Sequence, residues 1–335
     1  MEFPHRPDVT FDIATRPKAE LHCHIDGLLS PRLLRRMAQQ GHAIGAHADR
    51  LAAIHPVDGV AAWVERYMPL VNELFTPKDV WLPIILAYHL EELIAQHTVY
   101  AEIFVSNLLF ARPDEAQTVD LFASLRRLVD DTTRGRMVTE LVVCIGRGGR
   151  EKVAPQVPRI LALAEAGLVC GVAVAGPNES ASLKPMAGFL DEFRRAGLPI
   201  EVHAGEFEGP EAVWDALEFG EPRRIGHGVS AFRDPALVRE LVDRGIHLEF
   251  CPTSNVKLGN VRRVEDLPIR AALDAGVSFS VNTDDPGAFE CTLTGELTEV
   301  ASRFDLNDRE LDLILDDTLR AAFGAAPSVD VRHPR

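Results

Sequence analysis

Eight apolar runs punctuate this chain, at residues 18–24, 99–106, 138–145, 169–175, 199–203, 224–227, 246–251 and 277–283. Most are near-continuous stretches of Val, Ile, Leu, Phe and Ala, the pattern of strands covered on both faces. Between them, apolar positions follow the helical period over residues 115–131, 158–166, 187–196, 210–219, 235–244 and 264–275. Pro210, Pro235 and Pro268 stand where helices can start, and Gly197, Gly220, Gly245 and Gly276 stand just past their ends. From the fourth run onward a strand recurs roughly every 25–30 residues, the length of one β-loop-α unit. This alternation predicts a parallel (β/α)8 TIM barrel, with an open doubly wound sheet as the structural rival.

The spacing breaks once. About seventy residues separate the first two runs, with helical patterns at 32–39 and 60–74 and an apolar group of Trp63, Tyr67, Met68, Leu70 and Phe75. Residues 31–96 therefore read as a helical insertion that covers the barrel, either as plain packing or as a lid whose apolar side chains face a substrate. The expected organisation is a single barrel domain over residues 1–335, with a loosely ordered tail at 325–335.

Composition narrows the function. With 335 residues, 46% of them hydrophobic and 25% charged, the chain can bury a large globular core. A formal net charge of -15 opposes binding to nucleic acid or to an anionic membrane. No apolar stretch approaches the length of a membrane span, and residues 1–14 hold no long apolar run. The five cysteines (Cys23, Cys144, Cys170, Cys251 and Cys291) show no paired spacing, which points to a reducing cytoplasm.

The chemistry gathers at strand ends. His22 and His24 alternate with Cys23, so both imidazoles share one face of the first strand. His203 ends the fifth strand, His227 the sixth, and Asp284-Asp285 follows the eighth. In a barrel these ends converge on one face, where active sites are built. His22, His24, His203 and Asp284 supply three nitrogens and one oxygen, a set suited to one zinc ion that keeps a position open for water. Any one of these histidines alone reads as a satisfied core imidazole; four ligand-type residues at strand ends do not. Glu206, in the loop past His203, is placed to act as a proton donor once a closed pocket raises its pKa. His227, between two glycines, can reach an activated water. Spacing favours Asp284 at the metal and Asp285 at the substrate, and leaves the opposite assignment open.

Other metal signatures are missing. No Cys-x-x-Cys follows a proline, no His-Glu-x-x-His occurs, and no lysine closes the fourth strand, so a single-metal site is expected. Gly146-Arg147-Gly148-Gly149 lacks phosphate-loop spacing and reads as a plain loop.

The ordered set His-Cys-His-Ile-Asp-Gly (22–27), His-Ala-Gly-Glu (203–206), Arg-Ile-Gly-His-Gly (224–228), Cys-Pro-Thr-Ser-Asn (251–255) and Asn-Thr-Asp-Asp-Pro (282–286) resembles the adenosine deaminase family of the amidohydrolase superfamily. The resemblance implies one zinc held by His22, His24, His203 and Asp284. It also implies hydrolytic replacement of a purine 6-amino group by oxygen. On the same grounds Glu206 matches the acid that protonates ring N1, and His227 the base that orients water. Asp285 matches the partner of N7, Gly176 the backbone donor to N3, and Asp26 a ribose contact. Two positions depart from many adenosine deaminases: Phe104 stands where they carry Arg, as in the adenine deaminase branch, and Ala173 where they carry Asp. Asp26 and Gly226 look nucleoside-like. The expected substrate is a small purine, adenosine or 2′-deoxyadenosine. Adenine, an N6-substituted adenine or aminodeoxyfutalosine is the alternative. A non-catalytic purine-nucleoside-binding barrel and a lactonase- or phosphotriesterase-type hydrolase are the more distant readings.

Overall fold

The computed structural model describes residues 13–55, 57–74, 78–106, 114–176 and 179–331. Eight strands form one sheet: β1 (Lys18–His24), β2 (Thr98–Ser106), β3 (Val138–Gly146), β4 (Gly171–Ala175), β5 (Ile200–Ala204), β6 (Arg224–His227), β7 (His247–Phe250) and β8 (Phe279–Val281). Each pairs in parallel with the next in sequence. The sheet curls until the segment after β8 meets β1 through an isolated parallel bridge, Cys23 to Asp284. There His24 N donates to Asp284 O at 2.8 Å and Asp284 N to His22 O at 2.9 Å. Leu21 N donates to the Asn282 side-chain oxygen at 3.0 Å, one register step lower. The last helix, Asp308–Ala321, lies against both β8 and β1, and its first turn is closed by a reciprocal Asn307–Glu310 capping box. The fold is the expected (β/α)8 barrel.

Three helices depart from the periodic reading. The pattern at 210–219 forms Pro210–Asp215 and then a π turn, Ala216–Gly220, after which Glu221 takes the left-handed conformation at φ 43°. Gly220 does not supply the positive φ there; a side chain at 220 would press on Val202 and Leu183 at 3.2 and 3.3 Å, so its glycine serves packing. The pattern at 264–275 splits, because Leu267 before Pro268 is held extended at ψ 146°. Its helix begins at Ile269 and runs to Ala275. The pattern at 60–74 is α-helical at both ends, Val60–Ala62 and Met68–Leu74, around a π turn, Trp63–Tyr67.

That last segment belongs to the insertion. It follows the helix Pro31–Gln39, whose first turn is capped by Ser30, and precedes the long helix Lys78–Ala95 that leads into β2. Tyr67 and Leu70 are buried in the core, and the Tyr67 hydroxyl donates to Leu29 O at 2.9 Å. Trp63 and Met68 face the mouth of the barrel, while Phe75 lies outside the described residues. Near the C-terminus Val331 is buried against the core.

Candidate active site

At the C-terminal mouth of the barrel, His22 and His24 from β1, His203 from β5 and Asp284 after β8 bring their ligand atoms within 4.8 Å of one another. His24 Nε2 and His203 Nε2 stand 3.1 Å apart, and Asp284 Oδ1 is 3.4 Å from His24 Nε2 and 3.5 Å from His22 Nε2. His22 Nε2 is buried with no hydrogen-bond partner and faces the same point. Three imidazoles and one carboxylate converging in this way fit a divalent transition metal.

The imidazoles are oriented from behind by carboxylates. Glu249 Oε2 on β7 is 2.7 Å from His22 Nδ1, and Glu201 on β5 is 3.2 Å from His203 Nδ1. Glu249 in turn pairs with the buried Arg224 at 2.5 Å, and Arg224 pairs with Glu102 at 2.6 Å. Such carboxylate–imidazole pairs fix the tautomer and direction of a metal ligand. Ser254 Oγ donates to Asp284 Oδ2 at 2.6 Å, which leaves Oδ1 for the cluster. Burial pushes the Asp284 pKa up, but His22, with His24 and His227, overrides it and holds the carboxylate well below its ordinary range. Gly226 is forced by this arrangement, since a side chain there would fall 2.3 Å from the Glu201 carboxylate and 3.0 Å from the His22 ring.

Beside the cluster a cavity of about 290 Å³ runs from His24, His203, His227 and Asp284 out to Val60, Met68 and Asn72. Glu206, Asp26, Asp285 and Gly176 all line it, so the structure brings every proposed metal, catalytic and substrate residue to one cavity except His22, which stands in the metal cluster beneath. Burial, reinforced by the charges of Asp284 and Glu179, raises the Glu206 pKa well above that of a free glutamate. Asn260 Nδ2 donates to Glu206 Oε1 at 3.1 Å, so the acid proton belongs on Oε2, 3.4 Å from His227 Nε2. His227 is held by the Asn255 amide at 3.1 Å, and burial lowers its pKa well below that of a free imidazole. Both His227 (φ 61°) and Asp284 (φ 64°) take the left-handed backbone region, a strain that clusters at functional sites.

Trp63 Nε1 from the π turn donates to Asp285 Oδ2 at 2.7 Å, and Gly27 packs against the other side of that carboxyl. Asp285 Oδ1 and Asp26 Oδ1 are buried with no partner. Burial pushes the Asp26 pKa up to about 6.

The two departures seen in the sequence prove to be neighbours. Phe104 and Ala173 pack together with Val142 and Cys144 in one apolar cluster. Phe104 lies under the histidines, its ring 5.0 Å from that of His22 and 5.2 Å from that of His24, and outside the cavity lining. A Phe and an Ala side by side replace an Arg and an Asp without leaving a buried charge unpaired. Both positions thus lie in the packing beneath the metal cluster, outside the cavity lining.

Sequence reasoning passed over Glu249, Glu201, Asn260 and Arg147. A lone Glu inside a near-continuous apolar strand was the available signal for the first two.

A barrel that presents such a metal-binding group and a buried acid at its catalytic face defines a metal-dependent hydrolase of the amidohydrolase type. Residues 17–330 match the family model described as adenosine deaminase, and the chain belongs to that family. It is 34% identical over 318 residues to an adenine deaminase of Chelativorans sp., spanning 91% of this chain and 93% of that one. It is 33% identical over 322 residues to an aminodeoxyfutalosine deaminase of Streptomyces avermitilis, spanning 93% of this chain and 87% of that one. Among solved structures, an amidohydrolase from Burkholderia ambifaria with bound zinc superposes with a TM-score of 0.75 at 20% identity, covering 96% of this chain and 90% of that one. The chain is a metal-dependent deaminase, and among the described residues no helix is long and apolar enough to cross a membrane.

Proposed function

We propose that this enzyme hydrolyses the 6-amino group of a neutral purine nucleoside, releasing ammonia, with adenosine or 2′-deoxyadenosine as substrate. The observation that carries the sugar is the buried, unpartnered Asp26 Oδ1 in a cavity larger than a bicyclic base. A buried carboxylate oxygen calls for a donor, and a ribose hydroxyl supplies one. The described lining holds four carboxyls (Asp26, Glu206, Asp284, Asp285), a field that suits a neutral ligand. The relatives named above act on a free base and on a modified nucleoside, which supports the 6-aminopurine and leaves the sugar to the cavity.

In this reading His22, His24, His203 and Asp284 hold one zinc ion. Zinc bound there would lower the pKa of a bound water towards 7. Protonated Glu206 gives its Oε2 proton to purine N1, which withdraws electrons from C6. Neutral His227 takes one proton from the attacking water and returns it to the departing amine, and the second water proton passes from the new C6 hydroxyl to Glu206, so C6 ends as a carbonyl, ammonia leaves and the acid is restored. Burial and the charges of Asp284 and Asp26 raise the Asp285 pKa, so with Trp63 donating to Oδ2 the acid holds its proton on Oδ1 and donates it to N7, and the Gly176 backbone N–H donates to N3. Two carboxyls thus take opposite roles through their surroundings, Glu206 kept neutral and Asp284 kept charged.

Conversion of the 6-aminopurine to the 6-oxopurine by the zinc-loaded protein, followed by ultraviolet absorbance and compared as kcat/KM across adenosine, 2′-deoxyadenosine, adenine, N6-methyl-AMP (which releases methylamine in place of ammonia) and aminodeoxyfutalosine, tests this. Preference for the two plain nucleosides supports the assignment. A tenfold preference for adenine overturns the sugar contact, and turnover of none overturns the reading.

A further inference from the structure

Glu179, in the loop after β4, has a side chain that reaches no substrate-facing position and yet makes five hydrogen bonds. Its Oε2 accepts from Gly205 N at 3.0 Å, Glu206 N at 3.2 Å, Phe207 N at 3.2 Å and Glu208 N at 3.1 Å, while Oε1 accepts from Glu206 N at 3.2 Å. Four consecutive N–H groups thus turn inward on one carboxylate. That concave arrangement is an anion nest, and it needs a left-handed residue at its start. Gly205 provides it at φ +72°, where a side chain would also collide with Ser230 and Val213 at 2.7 Å. The anion received by the glycine of this loop is therefore a side chain of the protein itself.

The loop that carries Glu179 is tied down as well. Arg147, after β3, is buried; its Nη1 donates to Glu179 O at 2.8 Å and Ala181 O at 3.1 Å, and its Nη2 to His203 O at 2.9 Å. One guanidinium thereby joins the β4 loop to the end of β5, and Glu179 joins the same loop to residues 205–208. Between these two ties sits Glu206.

We infer that Glu179 is the positioning residue for the proton donor of this site, its carboxylate gathering the amides of residues 205–208 so that Glu206 is aimed into the cavity. The inference rests on the proton-donor role proposed above for Glu206. A carboxylate suits this nest because it is acceptor-only and charged: a glutamine could offer its one oxygen to the four amides, but would lose the charge that strengthens those bonds and turn its NH2 group toward Glu206 N. The charge of Glu179 also bears on Glu206. Glu206 is faced by Glu179 after β4, Asp284 after β8, His227 at the end of β6 and His22 on β1, and removing one negative neighbour eases its ionisation.

Glu179→Gln and Glu179→Asp in the zinc-loaded enzyme test this. Supporting tissue around an active site is worth about 10–100-fold, and the expected result for Glu179→Gln is a kcat loss in that range. KM should change less than threefold with zinc content unchanged, and the alkaline limb of the kcat/KM profile should move to lower pH. Glu179→Asp, which keeps the charge, should recover part of kcat and restore the limb. A Glu179→Gln enzyme with kcat within threefold of wild type and an unmoved limb overturns the inference. Hydrogen exchange on the wild-type protein decides the clamp even if the variant does not fold or if no tested purine is turned over. Amides 205–208 protected at least tenfold over a free peptide support it, and free exchange there overturns it.

Discussion

Glu206 is almost sealed from water, and the cost of ionising it there is what makes it an acid. Its pKa is raised well above the ordinary value, so it carries its proton through neutral pH and loses it only as pH climbs past that raised value. His227 shifts the other way: its lowered pKa leaves it neutral until the solution is distinctly acidic. The active form, protonated Glu206 with neutral His227, lies between the two. kcat/KM is expected to hold a plateau across neutral pH, with an acid limb from His227 and an alkaline limb from Glu206. Glu206→Gln keeps the shape of the side chain but has no proton to give. It should retain zinc and purine binding, lose about 10²–10⁴-fold in kcat, and show no alkaline limb. A loss below tenfold would remove Glu206 from the chemistry. Asp26 is the residue that separates sugar from base. Deleting a buried charged acceptor costs about 1.5–3 kcal/mol of a bound donor's energy, so Asp26→Ala should lower kcat/KM for adenosine about 10–100-fold. Adenine should be little affected, and equal losses on both would deny the ribose contact.

At the scale of elements, the π turn at Trp63–Tyr67 decides how the insertion meets the site. One residue more in the turn re-aims the chain, and Trp63 reaches Asp285 while Tyr67 anchors to Leu29. Trp63→Phe preserves the bulk but removes the N–H, leaving Asp285 Oδ2 without its partner. KM for the purine should rise about tenfold with kcat nearly kept, the loss expected for an unmet buried acceptor; an unchanged KM would separate the insertion from substrate binding. The same turn shows where sequence reading stops. Strand order, the alternation of helices and the strand-end positions of His22, His24, His203, His227 and Asp284 were all legible, because burial on both faces and a recurring β/α length leave strong periodic marks. A π turn leaves none, since its residues fit an α-helical pattern equally well. Glu179 and Asn260 were also invisible: each acts across more than twenty-five residues of chain on a partner that only the closed barrel places beside it. Glu20, Glu102, Glu201 and Glu249 were the recoverable cases. Each is a fully buried acid with an apolar residue directly on either side in its strand, a pattern that plain packing does not explain.

At the scale of the whole molecule, the barrel has one thin joint, and the proposed metal sits across it. Every neighbouring pair from β1 to β8 is joined by a ladder, whereas closure between β8 and β1 rests on the Cys23–Asp284 bridge, the Leu21–Asn282 bond and the Glu20 carboxylate, which accepts from Thr283 N at 3.2 Å and Thr283 Oγ1 at 2.8 Å. His22 and His24 lie on one side of that joint and Asp284 on the other, with His203 reaching in from β5. A metal held by all four therefore cross-links residues 262 positions apart in sequence, counted from His22 to Asp284, and closes the seam from above. A ligand that binds only the folded state adds about 4 kcal/mol of stability at a thousand times its Kd. For a chain of this size, at about 2.1 cal/mol/K of unfolding entropy per residue, that amounts to roughly 6 °C in Tm. Chelation should thus lower Tm by that amount, and hydrogen exchange should quicken first at amides of β1 and of the Asn282–Asp284 segment. Readdition of zinc should restore both. His24→Ala, which removes a ligand from the seam, should melt near the chelated protein and respond weakly to chelator. A chelated protein that melts with the untreated one, its β1 amides equally protected, would show that the cluster is held by its carboxylates alone and that the metal contributes chemistry but no closure.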